Sequence, residues 1–111
     1  MKGVSFSDPF YSGSVHIVSG QIASGTTGTA GTLLQIDKDT GCFTAYDFSQ
    51  PVNQTGTAYI AVDDIGTDSK TARVLMSGTV ATEKIHKADG STLSVQERAR
   101  LQSYSANIIY Y

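Results

Sequence analysis

The chain has 111 residues, which is room for one domain but not for two. Hydrophobic residues make up 40% and charged residues 16%, so the sequence is globular in type and unusually rich in uncharged polar residues. A net charge of -2 argues against nucleic-acid binding through a general basic face.

The cysteine content and the hydropathy pattern exclude further classes. The single cysteine, Cys42, cannot form an internal disulfide or a multi-thiolate metal site. No apolar run approaches the roughly 20 residues that a transmembrane helix needs, and residues 1–4 are not followed by the apolar core of a signal peptide. We therefore expect a soluble protein that is made inside the cell and has no membrane partner.

Charge is unevenly distributed along the chain. Residues 1–36 hold only Lys2 and Asp8 as charged residues, while 16 of these 36 positions are Gly, Ser or Thr. A segment so poor in apolar residues does not offset the cost of ordering its backbone, which is about 1–2 kcal/mol per residue. The sequence therefore predicts a flexible N-terminal arm over residues 1–31, which needs a partner, and a β-rich body over residues 32–111.

Two parts of the predicted arm differ in character. Residues 24–31 have neither helical nor strand periodicity and are typical of a flexible connector. Upstream, Val15, Ile17 and Ile22 alternate with neutral polar residues, which is typical of a strand. Two interpretations of residues 14–23 stay open: a strand that pairs with the sheet of another protein, or an ordinary strand of the domain's own sheet.

The body begins with strand signals. Residues 32–36 and 42–48 are two apolar runs joined by a turn with Asp and Gly, which predicts a β-hairpin. Residues 57–62 are dense enough in β-forming residues for a buried strand. Alternating apolar residues predict a further strand over residues 72–80, in which Gly78 indicates a bulge.

The last third of the chain contains a helix signal and an apolar ending. Ser94 and Glu97 match a capping box, which predicts a short helix over residues 95–104. Glu97 and Arg100, three residues apart, can add an ion pair on that helix. Residues 107–111 are apolar and β-branched, so we expect a terminal strand docked in a sheet or against another subunit.

Residues with catalytic or metal-binding chemistry are few and scattered. His16, His86 and Cys42 do not form the pattern of a hydrolytic triad or of a zinc site. Asp63, Asp64 and Asp68 lack the regular spacing and the closing Glu of a calcium loop. The sequence therefore predicts no catalytic residue, no metal ligand and no cofactor, and we expect a protein that is not an enzyme.

Two other features have a functional and a structural interpretation. The glycines of residues 25–31 are spaced as in some phosphate loops, but no Lys-Ser/Thr pair follows and a strand, not a helix, comes next. The six tyrosines are numerous enough for a stacking platform, yet most have apolar neighbours within predicted strands. We therefore expect neither a phosphate site nor a stacking surface, and assign the tyrosines to the core or to subunit contacts.

The order and spacing of the body segments resemble the lambda-type bacteriophage head decoration proteins, the protein D family. The resemblance covers residues 32–111, roughly seventy per cent of the chain. Besides a helix that carries Glu and Arg, the matching segments are Leu33-Leu34-Gln35-Ile36-Asp37, Ala45-Tyr46-Asp47, Gly56-Thr57-Ala58-Tyr59-Ile60-Ala61-Val62, Ser77-Gly78-Thr79-Val80 and Ala106-Asn107-Ile108-Ile109. None of them is diagnostic alone, and the N-terminal arm does not match residue by residue.

The resemblance implies a mainly β domain of the β-clip type with a short helix. It also implies a homotrimer on the local threefold positions of an expanded phage head, so that the protein reaches the outer surface of the virion after assembly in the host cytoplasm. The major capsid protein would be its partner, with no role for nucleic acid. The N-terminal segment would order on the shell; its predicted capsid-binding residues are Val4, Phe6, Phe10, Tyr11, Val15, His16, Ile17 and Val18. The trimer contact is not assigned to particular residues.

Two alternative functions belong to other classes. A β-rich recognition module, such as a carbohydrate-binding or virion attachment domain, would use exposed tyrosines and would not depend on the arm. A small trimeric enzyme on a related β-clip scaffold would need a carboxylate-activated water and a Gly-rich nucleotide loop. The sequence shows neither feature in a matching place.

Overall fold

The computed structural model of the chain describes residues 11–51, 57–104 and 107–110. Its elements in chain order are β1 (Tyr11–Gln21), β2 (Leu33–Ile36), β3 (Phe43–Ala45), β4 (Tyr59–Ala61), β5 (Thr71–Val80), a 3-10 helix (Thr82–Lys84), α1 (Val95–Tyr104) and β6 (Ile108–Tyr110). The prediction of a mainly β domain with one short helix near the C-terminal end is confirmed. No helix in these ranges is long and apolar enough to cross a membrane.

The six strands form one sheet in the order β1-β5-β4-β2-β3, with β6 paired to β5 beside that path. All neighbouring strands are antiparallel except β5 and β6, which are parallel. Strand β5 pairs with three other strands, because β1 lies along one of its sides while β4 and then β6 lie along the other.

Both faces of the sheet are covered by apolar side chains. On one face a row across four strands, Ile17–Leu75–Ile60–Leu33, belongs to what we call the first core. On the other face the row Val18–Val74–Ala61 belongs to the second core. Successive residues of a strand point to opposite faces, so each strand contributes to both cores.

The sheet curls until its two outer strands meet at one point. Ile22, directly after β1, forms a parallel bridge with Phe43 of β3. The amide of Ala23 donates to the carbonyl oxygen of Phe43 over 3.0 Å. This contact closes the second core at the C-terminal end of β1, where Ile22 and Phe43 are both buried.

Residues 11–31 belong to the body of the protein, in contrast to the domain boundary predicted at residue 31. Strand β1 pairs with β5 along its length, so residues 14–21 form a strand of the domain's own sheet, the second of the two interpretations above. The segment after β1 is also attached, since Gly28 bridges Ile65 in an antiparallel pair. Residues 1–10 of the predicted arm lie outside the described residues.

The helix and its neighbours follow the local sequence signals closely. The Ser94 hydroxyl accepts the amide of Glu97 over 3.1 Å, and the Glu97 carboxylate accepts the amide of Ser94 over 2.8 Å, which is the predicted capping box. The same carboxylate binds Lys87 Nζ at 3.0 Å. Arg100 instead donates to the carbonyl oxygen of Phe48 over 2.9 Å, so the ion-pair partner of Glu97 is Lys87 rather than Arg100.

Candidate functional site

The predicted capsid-binding residues that the structure describes all lie on β1. These are Tyr11, Val15, His16, Ile17 and Val18, whereas Val4, Phe6 and Phe10 lie outside the described residues. Strand β1 is the first strand of the sheet, and one of its edges is paired with β5. In the described part of the chain no strand pairs with the other edge before the bridge at Ile22. We call this edge, residues 11–20, the free edge.

The side chains of these residues do not form one binding surface. Tyr11 and Ile17 pack against the first core and Val18 packs against the second, each partly buried. Val15 is 36% exposed, and His16 is also exposed. Three of the five therefore serve the domain's own packing, and any binding along this strand involves mainly backbone groups together with Val15 and His16.

The pairing of β1 with β5 is interrupted in the middle of the strand. Ser12 is opposite Thr79 and His16 is opposite Ser77, so three residues of β1 face the single residue Gly78. A second irregularity follows at once, because Ile17 is opposite Leu75 and leaves Met76 without a partner in the register. These two irregularities constitute a β-bulge that bends the strand, as Gly78 in the sequence predicts.

Gly78 is required where the bulge meets β5. Its φ of 143° lies in the region that side chains rarely adopt, and a Cβ at this position would be 2.8 Å from Val15 Cγ1. The exposed Val15 side chain therefore lies directly over the backbone of β5. The bulge positions Val15 and His16 on the free edge while it keeps the rest of β1 in register.

The free edge is electrically neutral. Residues 11–21 contain no Asp, Glu, Lys or Arg. The nearest charged residue in the register, Arg73 opposite Ser19, is bound to Asp63 with 2.7 Å between Nη2 and Oδ1. Hydrogen bonds from Arg73 hold the pKa of Asp63 below its usual range. Natural edge strands are commonly protected by charged residues or Pro, so an uncharged edge favours pairing with another chain.

A shallow cleft of about 460 Å³ lies on the loop that follows β1 and is the second candidate. Two threonine hydroxyl groups contact the His86 ring at this cleft. Thr29 Oγ1 is 2.8 Å from His86 Nε2, and the buried Thr32 Oγ1 is 3.1 Å from the same nitrogen. The Thr32 hydroxyl also donates to the carbonyl oxygen of Thr29 over 2.6 Å. His86 and the two threonines thus fasten the loop to the segment after β5.

Five amides of this loop donate to oxygen atoms of the protein itself, over 2.8–3.1 Å. They run from Thr26 to Ala23 O, from Gly28 to Ile65 O, from Ala30 to Asp64 Oδ1, from Gly31 to Ala61 O and from Thr32 to Thr29 O. A phosphate loop needs such amides free to bind the ligand. Gly28 and Gly31 therefore have a structural role.

The remaining candidates for chemistry are dispersed. Tyr46 and Tyr110 are buried, and Tyr11 and Tyr59 are partly buried, so these four tyrosines do not form an exposed stacking platform. Within residues 11–51, 57–104 and 107–110, no three His, Cys, Asp or Glu side chains are close enough to hold a metal ion.

Comparison with known proteins finds no family whose model matches the chain and no curated protein that is similar to it. The sequence indicates a strand at β1 but its low charge predicts an arm that orders on a partner. The packing of Ile17 and Val18 against the two cores has no local signal, because it depends on the distant strand β5.

Proposed function

We propose that this protein is a phage capsid decoration protein that binds as a homotrimer at local threefold sites of the expanded head and stabilises it. The observation that carries the proposal is the neutral free edge of β1, which offers backbone donors and acceptors to an extended segment of another protein. The partner proposed for this edge is the major capsid protein.

The positions of the resembling segments support the same proposal. In chain order their described residues overlap β2, the end of β3, β4, the second half of β5, α1 and β6. Each resembling segment thus includes part of an element of the domain, which supports a likeness in the framework of the fold.

The free edge suits a contact that forms by β-strand addition. Main-chain hydrogen bonds supply affinity in this mode, and alternate side chains supply selectivity. Burial of a charged side chain without a partner would oppose such pairing, and residues 11–21 contain none. Val15 and His16 are the exposed side chains within the bulge that a partner strand would contact first.

Stabilisation of the head would follow from preferential binding to the expanded shell. A ligand at about 100 times its Kd favours the bound state by roughly 2.7 kcal/mol per site. A trimer presents three free edges on one rigid body, so contacts that are weak individually become firm when all three engage. The summed effect over a shell would oppose its disruption.

The proposal is tested by cosedimentation of the purified protein with expanded and unexpanded heads of the cognate major capsid protein. We expect selective pelleting with expanded heads and, for the free protein, a sedimentation mass three times that of the monomer. Val15→Lys places a charge on the free edge and should reduce pelleting at least tenfold. Val95→Lys is the matched control, since Val95 is 78% exposed on α1, away from that edge.

Three results would count against the proposal. Equal pelleting with both kinds of head would remove the preference on which stabilisation depends. Equal loss of pelleting in the two lysine variants would remove the role of the free edge. Binding of an oligosaccharide by the isolated protein, unaffected by Val15→Lys, would favour a recognition module instead.

A further inference from the structure

The bulge divides β1 into two halves that are attached to the body very differently. We call residues 17–21 the anchored half and residues 11–16 the leading half. The anchored half has five consecutive partners in β5, from Leu75 to Thr71. The leading half has three partners, and irregularities in the register separate them into two groups.

Side-chain packing reinforces this difference. In the anchored half, Ile17 packs against the first core, Val18 packs against the second, and Gly20 is buried beneath the ring of Phe43. The chain directly after it is also fixed, because the amide of Ile22 donates to the carbonyl oxygen of Lys70 over 2.9 Å. In the leading half, Tyr11 packs against the first core, but Val15 and His16 are exposed.

We infer that the leading half separates from β5 without unfolding of the anchored half, and that the bulge is the hinge. Local opening occurs where backbone pairing is interrupted and side chains are exposed, as in the register of the leading half and at Val15 and His16. Three residues of β1 opposite Gly78 supply the extra backbone length for a change of direction. The Phe43 contact on Gly20 prevents the opening from spreading towards the second core.

This inference deepens the proposed function and rests on it for its biological meaning. The capsid-binding segment would end at the bulge, near residue 16 and not at residue 31. Opening would expose the second edge of residues 11–16, which β5 covers in the closed sheet, so that the major capsid protein could pair with it in addition to the free edge. The body would meanwhile stay folded around β5.

Hydrogen exchange on the full chain tests the hinge independently of any partner. In an edge strand every second amide donates to the neighbouring strand and the others face solvent. The comparison therefore uses the slowest-exchanging amide of each half, which is one that donates to β5. We expect the slowest amide of the leading half to exchange at least about tenfold faster than that of the anchored half. Equal exchange of the two halves, or faster exchange of the anchored half, overturns the inference.

A reversible crosslink tests the connection with capsid binding. Ser12 and Thr79 are directly paired, and such pairs have Cα atoms about 4.5–5.5 Å apart, within the range of a disulfide. In Ser12→Cys/Thr79→Cys, with Cys42→Ser to remove the native thiol, oxidation keeps the free edge but prevents opening, so it should reduce pelleting with expanded heads at least tenfold, and reduction should restore it. Equal pelleting in both states shows that opening is not needed and overturns the connection.

The two experiments separate the possible failures. If neither the oxidised nor the reduced protein pellets, although both are folded, the proposed function is wrong, and the exchange data still decide whether the hinge exists. If the reduced protein pellets and exchange is uniform along β1, the proposed function stands and the hinge is wrong.

Discussion

The ring of Phe43 lies against the backbone of Gly20, so that a Cβ at residue 20 would collide with ring atom Cε2 and would be 2.6 Å from Cδ2. This contact joins the first and last strands in the order of the sheet. Phe43 also meets Tyr59 edge to face, with 5.9 Å between ring centroids. Gly20 is therefore the position at which the absence of a side chain allows the second core to close.

Gly20→Ala should destabilise the protein by about 1–3 kcal/mol, because the added methyl group forces the Phe43 ring out of its place. Chemical denaturation monitored by circular dichroism measures the change in the free energy of unfolding. Gly66→Ala is the control, since the nearest atom to a Cβ there is Ser69 Oγ at 3.8 Å. Equal stability of the two variants would show that the ring contact is not a constraint.

Deletion of residues 1–31 should unfold the protein. It removes β1, the partner of β5 along its length, and with it Ile17 and Val18 from the two cores. Deletion of residues 1–10 alone leaves every described element in place. Thermal unfolding should therefore show a cooperative transition for the shorter deletion and none for the longer one.

A cooperative transition in the protein that lacks residues 1–31 would restore the domain boundary at residue 31. The same two proteins can be mixed with expanded heads. We expect the shorter deletion to bind less tightly than the full chain, since it removes Val4, Phe6 and Phe10, which the sequence assigns to the capsid contact. This outcome would separate the contribution of residues 1–10 from that of β1.

Elements with local signals could be predicted from the sequence. The hairpin of β2 and β3 is marked by Gly41, whose φ of 75° the turn requires, and helix α1 is marked by Ser94 and Glu97. In each case the residues that make the element also stabilise it within a few positions. Their boundaries need no knowledge of the rest of the fold.

The position of β1 could not be predicted in this way. Its low charge and high content of small residues indicate an arm, although Ile17 and Val18 pack against two cores that distant residues complete. Pairing with β5 holds residues 11–21 in the sheet of the same chain. The opposite edge of β1 has no strand partner in the described residues and is the edge left for a second protein.

Stability should decrease at acid pH through Glu97. The backbone amide of Ser94, and then Lys87, favour the ionised carboxylate and hold the pKa of Glu97 below its usual range. A group whose pKa is lower in the folded state stabilises that state above its unfolded pKa, about 4.3 for Glu. That contribution is lost as the pH falls from about 4.3 through the pKa of the folded protein.

Glu97→Gln should therefore lower the free energy of unfolding at pH 7 more than at pH 3, because below the unfolded pKa the wild-type carboxylate progressively loses its contribution. Urea denaturation at the two pH values measures both differences. Glu83→Gln, at an exposed site in the 3-10 helix, is the control and should give the same small change at each pH. An effect of Glu97→Gln that is independent of pH would exclude this role of the carboxylate.

Arg100 attaches α1 to the segment after β3 through the geometry of its guanidinium group. Nη1 donates to the carbonyl oxygen of Phe48 over 2.9 Å, while the guanidinium carbon lies 5.4 Å from the ring centroid of Tyr46 and 5.6 Å from that of Phe48. A lysine ammonium keeps the charge but does not reproduce a planar group over two adjoining rings, whose centroids are 4.7 Å apart. Arg100→Lys should therefore lower the free energy of unfolding by about 1 kcal/mol.

The matched control is Arg98→Lys, an exposed position on the same helix, which should change the free energy of unfolding by less than about 0.5 kcal/mol. Both variants keep the net charge of the chain, so a difference between them reports the stacked, hydrogen-bonded guanidinium and not the charge. Near-ultraviolet circular dichroism gives a second measurement, because Arg100→Lys removes the guanidinium group from beside Tyr46. Equal stability together with an unchanged aromatic signal would show that α1 is held by the burial of Leu101 and by its capping residues alone.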